Sequence, residues 1–277
     1  MADQDLRADV ALCSRGLAAS RERAQELIAA GLAFANGMPI KKPAQKLPPD
    51  AALEVRGEWC PYVSRGGFKL EKALRSFGVD VQNAVAIDVG ASTGGFTDVL
   101  LQSGARRVYA VDVGTAQLDP RLAADPRVIS MEQTNARTLR REMFPEPPTL
   151  GVMDVSFISI TKILPALREV LGDNGRLITL VKPQFEAGRA ALGKNGIVSS
   201  AAVHERVLRD LAAAAPNLGW RLRACDYSPV TGTQGNIEFL ADFIPDDGRT
   251  PSPGSQELRE IVRRAHSELR KNTKPIR

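Results

Sequence analysis

A glycine-rich turn between a short apolar run and an amphipathic segment constrains the fold of this chain most. The run Ala86–Val89 contains the acid Asp88, and the turn after it contains Gly90, Gly94 and Gly95. Parallel-sheet proteins open a nucleotide-type cofactor site in this way, at the carboxyl edge of their first strand. The spacing Gly-x-x-x-Gly-Gly differs from the Gly-x-Gly-x-x-Gly of dinucleotide enzymes, which disfavours NAD as the cofactor.

Strand and helix patterns alternate through most of the chain. Such alternation predicts a mostly parallel sheet that is covered by helices on both faces. The last two strands are joined by a short turn, residues 229–235, so they should pair antiparallel, as in the methyltransferase variant of the doubly wound fold. We predict an α/β, Rossmann-like domain preceded by a small α+β domain. The predicted strands span 84–89, 107–112, 127–131, 150–155, 175–182, 220–227 and 236–243, and the main helices span 70–77, 95–103, 161–171, 199–215 and 255–270.

The first 57 residues form a separate pattern. Helices are predicted over 6–16 and 20–30, followed by a hairpin that turns at Asn36-Gly37. This string of residues resembles the S4-like RNA-binding domain. The alternative is a small helical hairpin with solvated charges, since residues 1–60 contain eight basic and eight acidic side chains. The resemblance implies that five basic residues face RNA phosphates, namely Arg15, Arg21, Arg23, Lys41 and Lys42.

The glycine-rich loop suits an anionic group of a cofactor. Its backbone N–H groups are exposed, and the following helix directs its positive end at the ligand. In a methyltransferase this group is the methionine carboxylate of S-adenosylmethionine (SAM). Asp112 could accept the ribose hydroxyls or only cap a helix, and Asn135 could lie beside the adenine or be a turn residue. The predicted cofactor-binding residues are Asp88, Gly90, Ser92, Thr93, Gly94, Gly95, Phe96, Asp112, Val113, Asn135 and Asp154.

Four charged residues are expected to meet at this edge of the sheet. Asp154 and Lys182 end the fourth and fifth predicted strands, Glu238 lies in the otherwise apolar last strand, and Lys69 precedes the first strand. Unpaired charges are rarely buried, so the lysines should pair with the acids. A purely structural salt-bridge cluster is the alternative, although it would be a poor source of stability. The position beside a cofactor loop favours a catalytic role.

Lys69, Asp154, Lys182 and Glu238 resemble the Lys-Asp-Lys-Glu tetrad of FtsJ-type ribose 2′-O-methyltransferases. An S4-like domain before such a domain resembles the TlyA family, which is also called hemolysin A-like. The resemblance extends to about residue 244. It implies a SAM-dependent ribose 2′-O-methyltransferase that acts on ribosomal RNA or ribosomal subunits, at cytidine in 16S RNA, 23S RNA or both. The strings that carry it are Tyr62–Gly67, which includes the expected RNA-binding residue Arg65, Asp88–Thr97, Val181–Gly188, Ala201–Arg206 and Pro229–Gly232.

The tetrad residues have distinct expected roles. A ribose hydroxyl is a weak nucleophile, so transfer to it needs a base and in-line placement. Lys182 is the expected base, and Lys69 should lie close enough to favour its neutral form and to stabilise the developing oxyanion. Asp154 should orient Lys182, while Glu238 should hold Lys69 or the ribose.

Two further polar residues have open roles. Glu186 could line the acceptor site or be a plain loop residue. His204 is expected at a surface or N-terminal helix position rather than in the chemistry. No metal is expected, because His204 and His266 are the only two histidines and neither lies in a ligand cluster.

The resemblance and the sequence pattern together give the expected domain boundaries. Residues 1–57 are the S4-like domain, 58–63 a linker, 64–245 the methyltransferase domain, and 246–277 a tail with a basic amphipathic helix. That helix should pack on the sheet with a solvated basic face, with RNA contact as the alternative.

Composition narrows the function classes. Three scattered cysteines without metal-type spacing favour a reducing cytosol. The start of the chain lacks a signal pattern, and no apolar run approaches the roughly 18–20 residues that span a bilayer. A cytoplasmic location is therefore expected, and a membrane-active hemolysin is disfavoured.

Three other functions are disfavoured by the sequence. A non-catalytic ribosome-assembly factor would leave the converging charges unexplained, and a small-molecule O-methyltransferase has no need of residues 1–57. Base methylation is disfavoured because the chain lacks the Asn-Pro-Pro-Tyr-type motif after the fourth strand.

Overall fold

Two compact units make up the chain, Met1–Pro61 and Tyr62–Arg277. The computed structural model describes residues 5–18, 20–29, 31–57, 60–232 and 234–269. The N-terminal unit has one buried apolar cluster and the C-terminal unit has two. The two units can therefore each bury a core, as the length of the chain allows.

The N-terminal unit joins two helices to two small antiparallel sheets. Strand β2 pairs with β3 and β5, and β1 pairs with β4. The hairpin turns at Asn36 and Gly37, both with positive φ, as a two-residue hairpin loop requires. The S4-like assignment of this unit stays a prediction. The elements are β1 (Leu6–Arg7), α1 (Ala8–Ser14), α2 (Arg21–Ala29), β2 (Ala33–Ala35), β3 (Met38–Pro39), β4 (Lys46–Leu47) and β5 (Leu53–Val55).

The helix predicted over 6–16 is shorter in the structure. Leu6 and Arg7 form strand β1, and the helix begins only at Ala8. The reason is a long-range contact, because Leu6 and Arg7 pair with Leu47 and Lys46. A local periodicity cannot reveal such a partner some forty residues away.

The C-terminal unit is a seven-stranded, mostly parallel sheet with helices on both faces, which confirms the predicted fold. The strand order is β11-β12-β10-β9-β6-β7-β8, and only β12 runs antiparallel to its neighbours β10 and β11. The elements are α3 (Gly66–Phe77), β6 (Val85–Val89), α4 (Gly95–Gln102), β7 (Arg107–Val111), α5 (Pro120–Ala123), β8 (Val128–Met131), β9 (Leu150–Met153), α6 (Leu164–Leu171), β10 (Arg176–Val181), α7 (Pro183–Glu186), α8 (Ala201–Ala214), β11 (Trp220–Tyr227), β12 (Phe239–Pro245) and α9 (Ser255–Leu269).

Two apolar clusters cover the two faces of this sheet. Neighbouring residues of one strand alternate between them, as Ile87 and Ala86 do in β6. The cluster with Ile87 includes α6, α8 and α9, whereas the cluster with Ala86 includes α3 and α4. The tail helix α9 buries the apolar stripe that its sequence predicts, which is Leu258, Ile261, Val262, Ala265 and Leu269.

Element boundaries differ from the sequence prediction mainly near the site. The last strand begins at Phe239 rather than at residue 236, so Glu238 lies just before β12 and not within it. The helix predicted from residue 161 begins at Leu164, after a separate 3-10 turn over Ile160–Lys162. Asp154, Lys182 and Glu238 thus lie just outside strands β9, β10 and β12, whereas Lys69 lies within helix α3.

Within the described residues, none of the helices combines the length and the apolar character that a membrane span needs. Those same residues include no cluster of three or more His, Cys, Asp or Glu side chains placed to hold a metal ion.

Candidate active site at the carboxyl edge of the sheet

The loop after β6 turns tightly against the end of β9. Gly90 has a φ of +81°, and a Cβ atom there would lie 2.5 Å from the backbone oxygen of Asp154. Only glycine allows both this backbone conformation and this close approach. The turn therefore brings the loop 90–94 next to the segment that carries Asp154.

A cavity of about 220 Å³ opens between this loop and Asp154. Its lining includes Gly90, Gly95, Asp154 and Lys182. Helix α4 begins at Gly95, so its amino-terminal N–H groups face this region, which suits an anion. The residues here fit the methionine carboxylate of SAM. Of the predicted cofactor residues, those in the lining are Gly90, Ser92, Thr93, Gly95, Phe96 and Asp154.

Asp88 does not line this cavity, contrary to its predicted contact with the cofactor. It is fully buried beneath the loop, where its Oδ2 accepts a hydrogen bond from Thr97 Oγ1 at 2.7 Å. Its Oδ1 has no hydrogen-bond partner, and burial raises the pKa of Asp88 to about 7. Asp88 thus fastens the start of α4 to β6 from below.

Asp112 and Asn135 both accept hydrogen bonds from backbone N–H groups. Asp112 accepts the backbone N–H groups of Ser92 and Gly114, one on each oxygen and each at 2.8 Å. The space beside it is only about 10 Å³ and is lined in part by Gln117. Asn135 accepts the N–H of Arg137 and begins a 3-10 turn, so its turn role is the one observed. Val113, next to Asp112, is exposed.

The structure brings the four tetrad side chains together. Lys69 Nζ lies 2.6 Å from Glu238 Oε2 and 3.6 Å from Asp154 Oδ2. Lys182 Nζ lies 2.6 Å from Asp154 Oδ1 and donates a hydrogen bond to Ser156 Oγ at 2.8 Å. The Lys182–Asp154 contact is an ion pair whose alignment falls short of a hydrogen bond. Asp154 therefore stands between the two lysines.

The charges around Lys69 determine the protonation state of its amine. Its side chain is buried beside two carboxylates. Burial alone would lower the pKa of Lys69, but attraction to Asp154 and Glu238 outweighs burial and raises that pKa. Lys69 is therefore held as a cation.

A second, larger cavity of about 650 Å³ adjoins the first at Asp154 and Lys182. Lys69, Glu238 and the predicted RNA-binding residue Arg65 also line it. The rings of Phe157 and Phe185 lie in this lining, with centroids 5.2 Å apart. The tetrad thus separates a cofactor-type pocket from a space large enough for a second substrate.

Sequence reasoning missed Ser156 and Phe157, which lie two and three residues after Asp154. Phe157 is 91% exposed and has a φ of +66°, a left-handed conformation that is rare for a residue with a large side chain. Its only signal in the sequence is a large aromatic residue three positions after the polar residue Asp154. That signal does not distinguish a surface ring from a core ring.

Glu186 does not line the larger cavity of about 650 Å³, which we call the acceptor cavity. It borders a separate cavity and accepts hydrogen bonds from Ser159 and Ile160. His204 lies in the first turn of helix α8, which is the expected N-terminal helix position, but it is fully buried rather than at the surface. Its ring contacts His266 at 2.9 Å and the carbonyl of Val198 at 3.0 Å. Helix α9 covers it, which the sequence of α8 alone cannot reveal.

The predicted RNA-binding residues of the N-terminal unit make different contacts within it. Arg15 donates to the carbonyls of Pro49 and Ala51, and Arg21 pairs with the buried Asp9. Arg23 pairs with Glu26 one turn later. Lys41 and Lys42 are exposed. Arg15 and Arg21 thus have structural contacts in addition to the role that the resemblance implies.

Comparison with known proteins agrees with this geometry. Residues 62–243 match the model of the FtsJ-like methyltransferase family. The chain is 41% identical over 263 residues to the 16S/23S rRNA (cytidine-2′-O)-methyltransferase TlyA of Mycobacterium tuberculosis, covering 95% of this chain and 97% of that protein. It is 44% identical over 240 residues to Hemolysin A of Brachyspira hyodysenteriae, covering 86% and 100%.

A solved structure from Streptococcus thermophilus that bears the hemolysin name is also similar. It is 47% identical, has a TM-score of 0.76, and the match covers 98% of this chain and 99% of that one. The family match spans more than half of the chain, including every residue of the tetrad. The protein therefore belongs to the FtsJ-like methyltransferase family and takes its methyl group from SAM.

Proposed function

We propose that the protein methylates a ribose 2′-hydroxyl of ribosomal RNA, at a cytidine. The observation that carries this proposal is the Lys69–Asp154–Lys182–Glu238 cluster at the junction of two cavities. The similarity to an rRNA (cytidine-2′-O)-methyltransferase supports the choice of nucleotide and RNA. A ribosomal substrate also supports a cytoplasmic place of action.

In this proposal Lys182 is the general base. Its amine lies at the wall shared by both cavities, where a hydroxyl in the larger one can reach it. Asp154 and Ser156 hold the amine from one side and so limit its rotation. SAM, when bound, would supply an activated methyl group, and Lys182, which must be in its neutral amine form to act as a base, takes the proton that the 2′-hydroxyl loses.

Lys69 has a different role, because its ammonium is retained by two carboxylates. A fixed positive charge beside the acceptor oxygen stabilises the negative charge that develops on it during transfer. Glu238 keeps Lys69 in place at 2.6 Å. Asp154 contacts both lysines and so sets the distance between base and cation.

RNA binding is proposed for two regions. The exposed ring of Phe157 beside the acceptor cavity offers a surface on which a base that has left its stack can pack. Arg65 lies in the same lining and suits a neighbouring phosphate. The N-terminal unit, proposed as S4-like, would add phosphate contacts through Arg15, Arg21, Arg23, Lys41 and Lys42.

The test is transfer of labelled methyl from SAM to unmodified ribosomal subunits and to their stripped RNA, followed by alkaline hydrolysis. A 2′-O-methyl group blocks cleavage at its own phosphodiester, so the label is expected in an alkali-resistant dinucleotide. Label in ordinary mononucleotides would mean base methylation and would refute the proposal. The absence of label in every ribosomal RNA, with SAM bound normally, would refute the ribosomal substrate.

A further inference from the structure

Glu186 ends helix α7, four residues after Lys182, and lines neither cavity at the tetrad. It borders a separate cavity of about 390 Å³, together with Ser159 and Arg206. Burial raises the pKa of Glu186. A half-buried carboxylate beside the site, but outside its lining, needs an explanation other than substrate contact.

The carboxylate of Glu186 is attached to the segment that follows β9. Its Oε1 accepts the backbone N–H of Ile160 at 2.9 Å, and its Oε2 accepts the hydroxyl of Ser159 at 2.7 Å. Each carboxylate oxygen therefore accepts a hydrogen bond from a different donor. Both donors lie within six residues of Asp154.

The beginning of the same segment contacts Lys182. The amine of Lys182 lies 2.6 Å from Asp154 and 2.8 Å from Ser156. Residues 154–160 are thus joined at one end to Lys182 and at the other end to Glu186. Because Lys182 and Glu186 are a single helical turn apart, the contacts form a closed ring.

Within this ring the backbone at Phe157 is left-handed, with a φ of +66°. A bulky residue keeps such a conformation only where surrounding contacts hold it there. The contacts of Lys182 lie before Phe157, and those of Glu186 lie after it. The loss of either end would let the segment relax.

We propose that Glu186 is a positioning residue that holds residues 154–160 in the shape required for methyl transfer. It acts through Ser159 and Ile160, keeps Asp154 and Ser156 on Lys182, and keeps Phe157 at the acceptor cavity. The inference rests on the proposed function only in taking Lys182 as the base.

The chemistry of the link predicts which substitutions it tolerates. Glutamine can accept the N–H of Ile160 through its oxygen and donate its amide to Ser159 Oγ. Ser159 can then direct its own proton to Thr161 Oγ1, which lies 2.7 Å away. Alanine can make neither contact.

The test compares the full-length wild-type protein with E186A, E186Q and a control, E142A, which alters an exposed glutamate in another turn. We expect kcat of E186A to fall about 10- to 100-fold, as displaced catalytic groups do, with KM for SAM within about threefold. E186Q and E142A should stay within about threefold of wild type. This division between kcat and KM, with rescue by glutamine, distinguishes positioning from a general loss of structure.

Hydrogen exchange provides a readout that needs no substrate. The peptide over residues 154–162 should exchange about tenfold faster in E186A and stay protected in E186Q, while the peptide over 85–89 is unchanged. S159A, a milder variant, should loosen the same peptide. Adding S159A to E186A should lower kcat by no more than about twofold further, because both break one link.

Unchanged exchange over 154–162 in E186A would overturn the inference. The inference would also be overturned if E186Q were as slow as E186A while the peptide over 154–162 stayed protected. The negative charge of Glu186 would then be required, and not only its hydrogen bonds. A wild-type protein without ribose methylation, but with the expected exchange pattern, would refute the proposed function and leave the positioning link standing.

Discussion

At the residue scale, the charge arrangement explains why two similar lysines are expected to differ in function. Lys69 has two carboxylate neighbours, whereas Lys182 has one carboxylate and one hydroxyl. Each lysine is close to the acceptor cavity, so proximity alone does not separate their roles. The two carboxylates beside Lys69 raise its pKa and hold it as an ammonium, which suits it to the role of a fixed cation.

Replacing Lys182 by alanine is expected to lower kcat by about 10²–10⁴-fold, because the general base is lost. The dissociation constant for SAM, measured by calorimetry, should change by less than about threefold. The control is K162A, which removes an exposed lysine from the 3-10 turn after Ser159. A K182A protein with full activity would contradict the assignment of the base.

Replacing Phe157 by alanine is expected to raise the dissociation constant for substrate RNA about 5- to 100-fold, the effect of losing one base stack. Thermal stability should not fall, because the ring is 91% exposed. F157Y keeps a ring and should bind RNA like wild type. Equal RNA affinity of F157A and wild type in filter-binding titrations would exclude stacking on this residue.

At the scale of elements, long-range contacts set the boundaries that local patterns leave open. Strand β1 exists because β4 pairs with it, and helix α1 is shortened as a result. The start of α1 is then fixed by Asp9, whose side chain is fully buried. Its carboxylate accepts hydrogen bonds from Arg7 at 3.0 Å, Arg21 at 3.2 Å and Gln25 at 3.1 Å.

Replacing Asp9 by asparagine is expected to destabilise the N-terminal unit by about 1–3 kcal/mol, through loss of hydrogen bonds to a charged group. Exchange rates of the amides in α1 should rise, while those of β6 stay unchanged. Wild-type exchange rates in α1 of D9N would show that the Arg7 and Arg21 contacts add no stability.

The pH dependence of this unit should follow from the same residue. The hydrogen bond from Arg7, opposed by burial, lowers the pKa of Asp9 below its ordinary value. Its contribution to stability is therefore complete above the unfolded pKa near 3.9, and it is lost as the pH falls below that value. Hydrogen exchange of the α1 amides can follow the acid unfolding of this unit. In D9N, the exchange should no longer show the loss of stability that protonation of Asp9 causes in the wild type.

At the scale of the whole molecule, the net charge of +5 is modest for a protein that binds RNA. Residues 1–60 contain equal numbers of basic and acidic side chains, and several of the basic ones have contacts within that unit, among them Arg7, Arg15, Arg21 and Arg23. RNA affinity should therefore depend on a few exposed cations. Lys41 and Lys42, next to the β2–β3 hairpin, are such residues.

The double variant K41A/K42A is expected to weaken RNA binding at all sequences alike. The slope of log affinity against log salt concentration should become shallower by about 2, one for each lost phosphate contact. R75A/R209A, which removes two exposed arginines from α3 and α8, serves as the matched control. Identical slopes for K41A/K42A and wild type would exclude both lysines from the RNA interface.

The sequence by itself determined the fold class, the carboxyl edge as the place of the site, and the types of its four charged residues. These features are readable because alternating apolar periods and a glycine-rich turn depend only on local backbone chemistry. Tertiary structure alone decided that Asp88 lies below the cofactor cavity, that His204 is buried against His266, and that Glu186 holds the segment after Asp154. Each depends on a partner brought in from a distant element, and a periodic pattern carries no information about that partner.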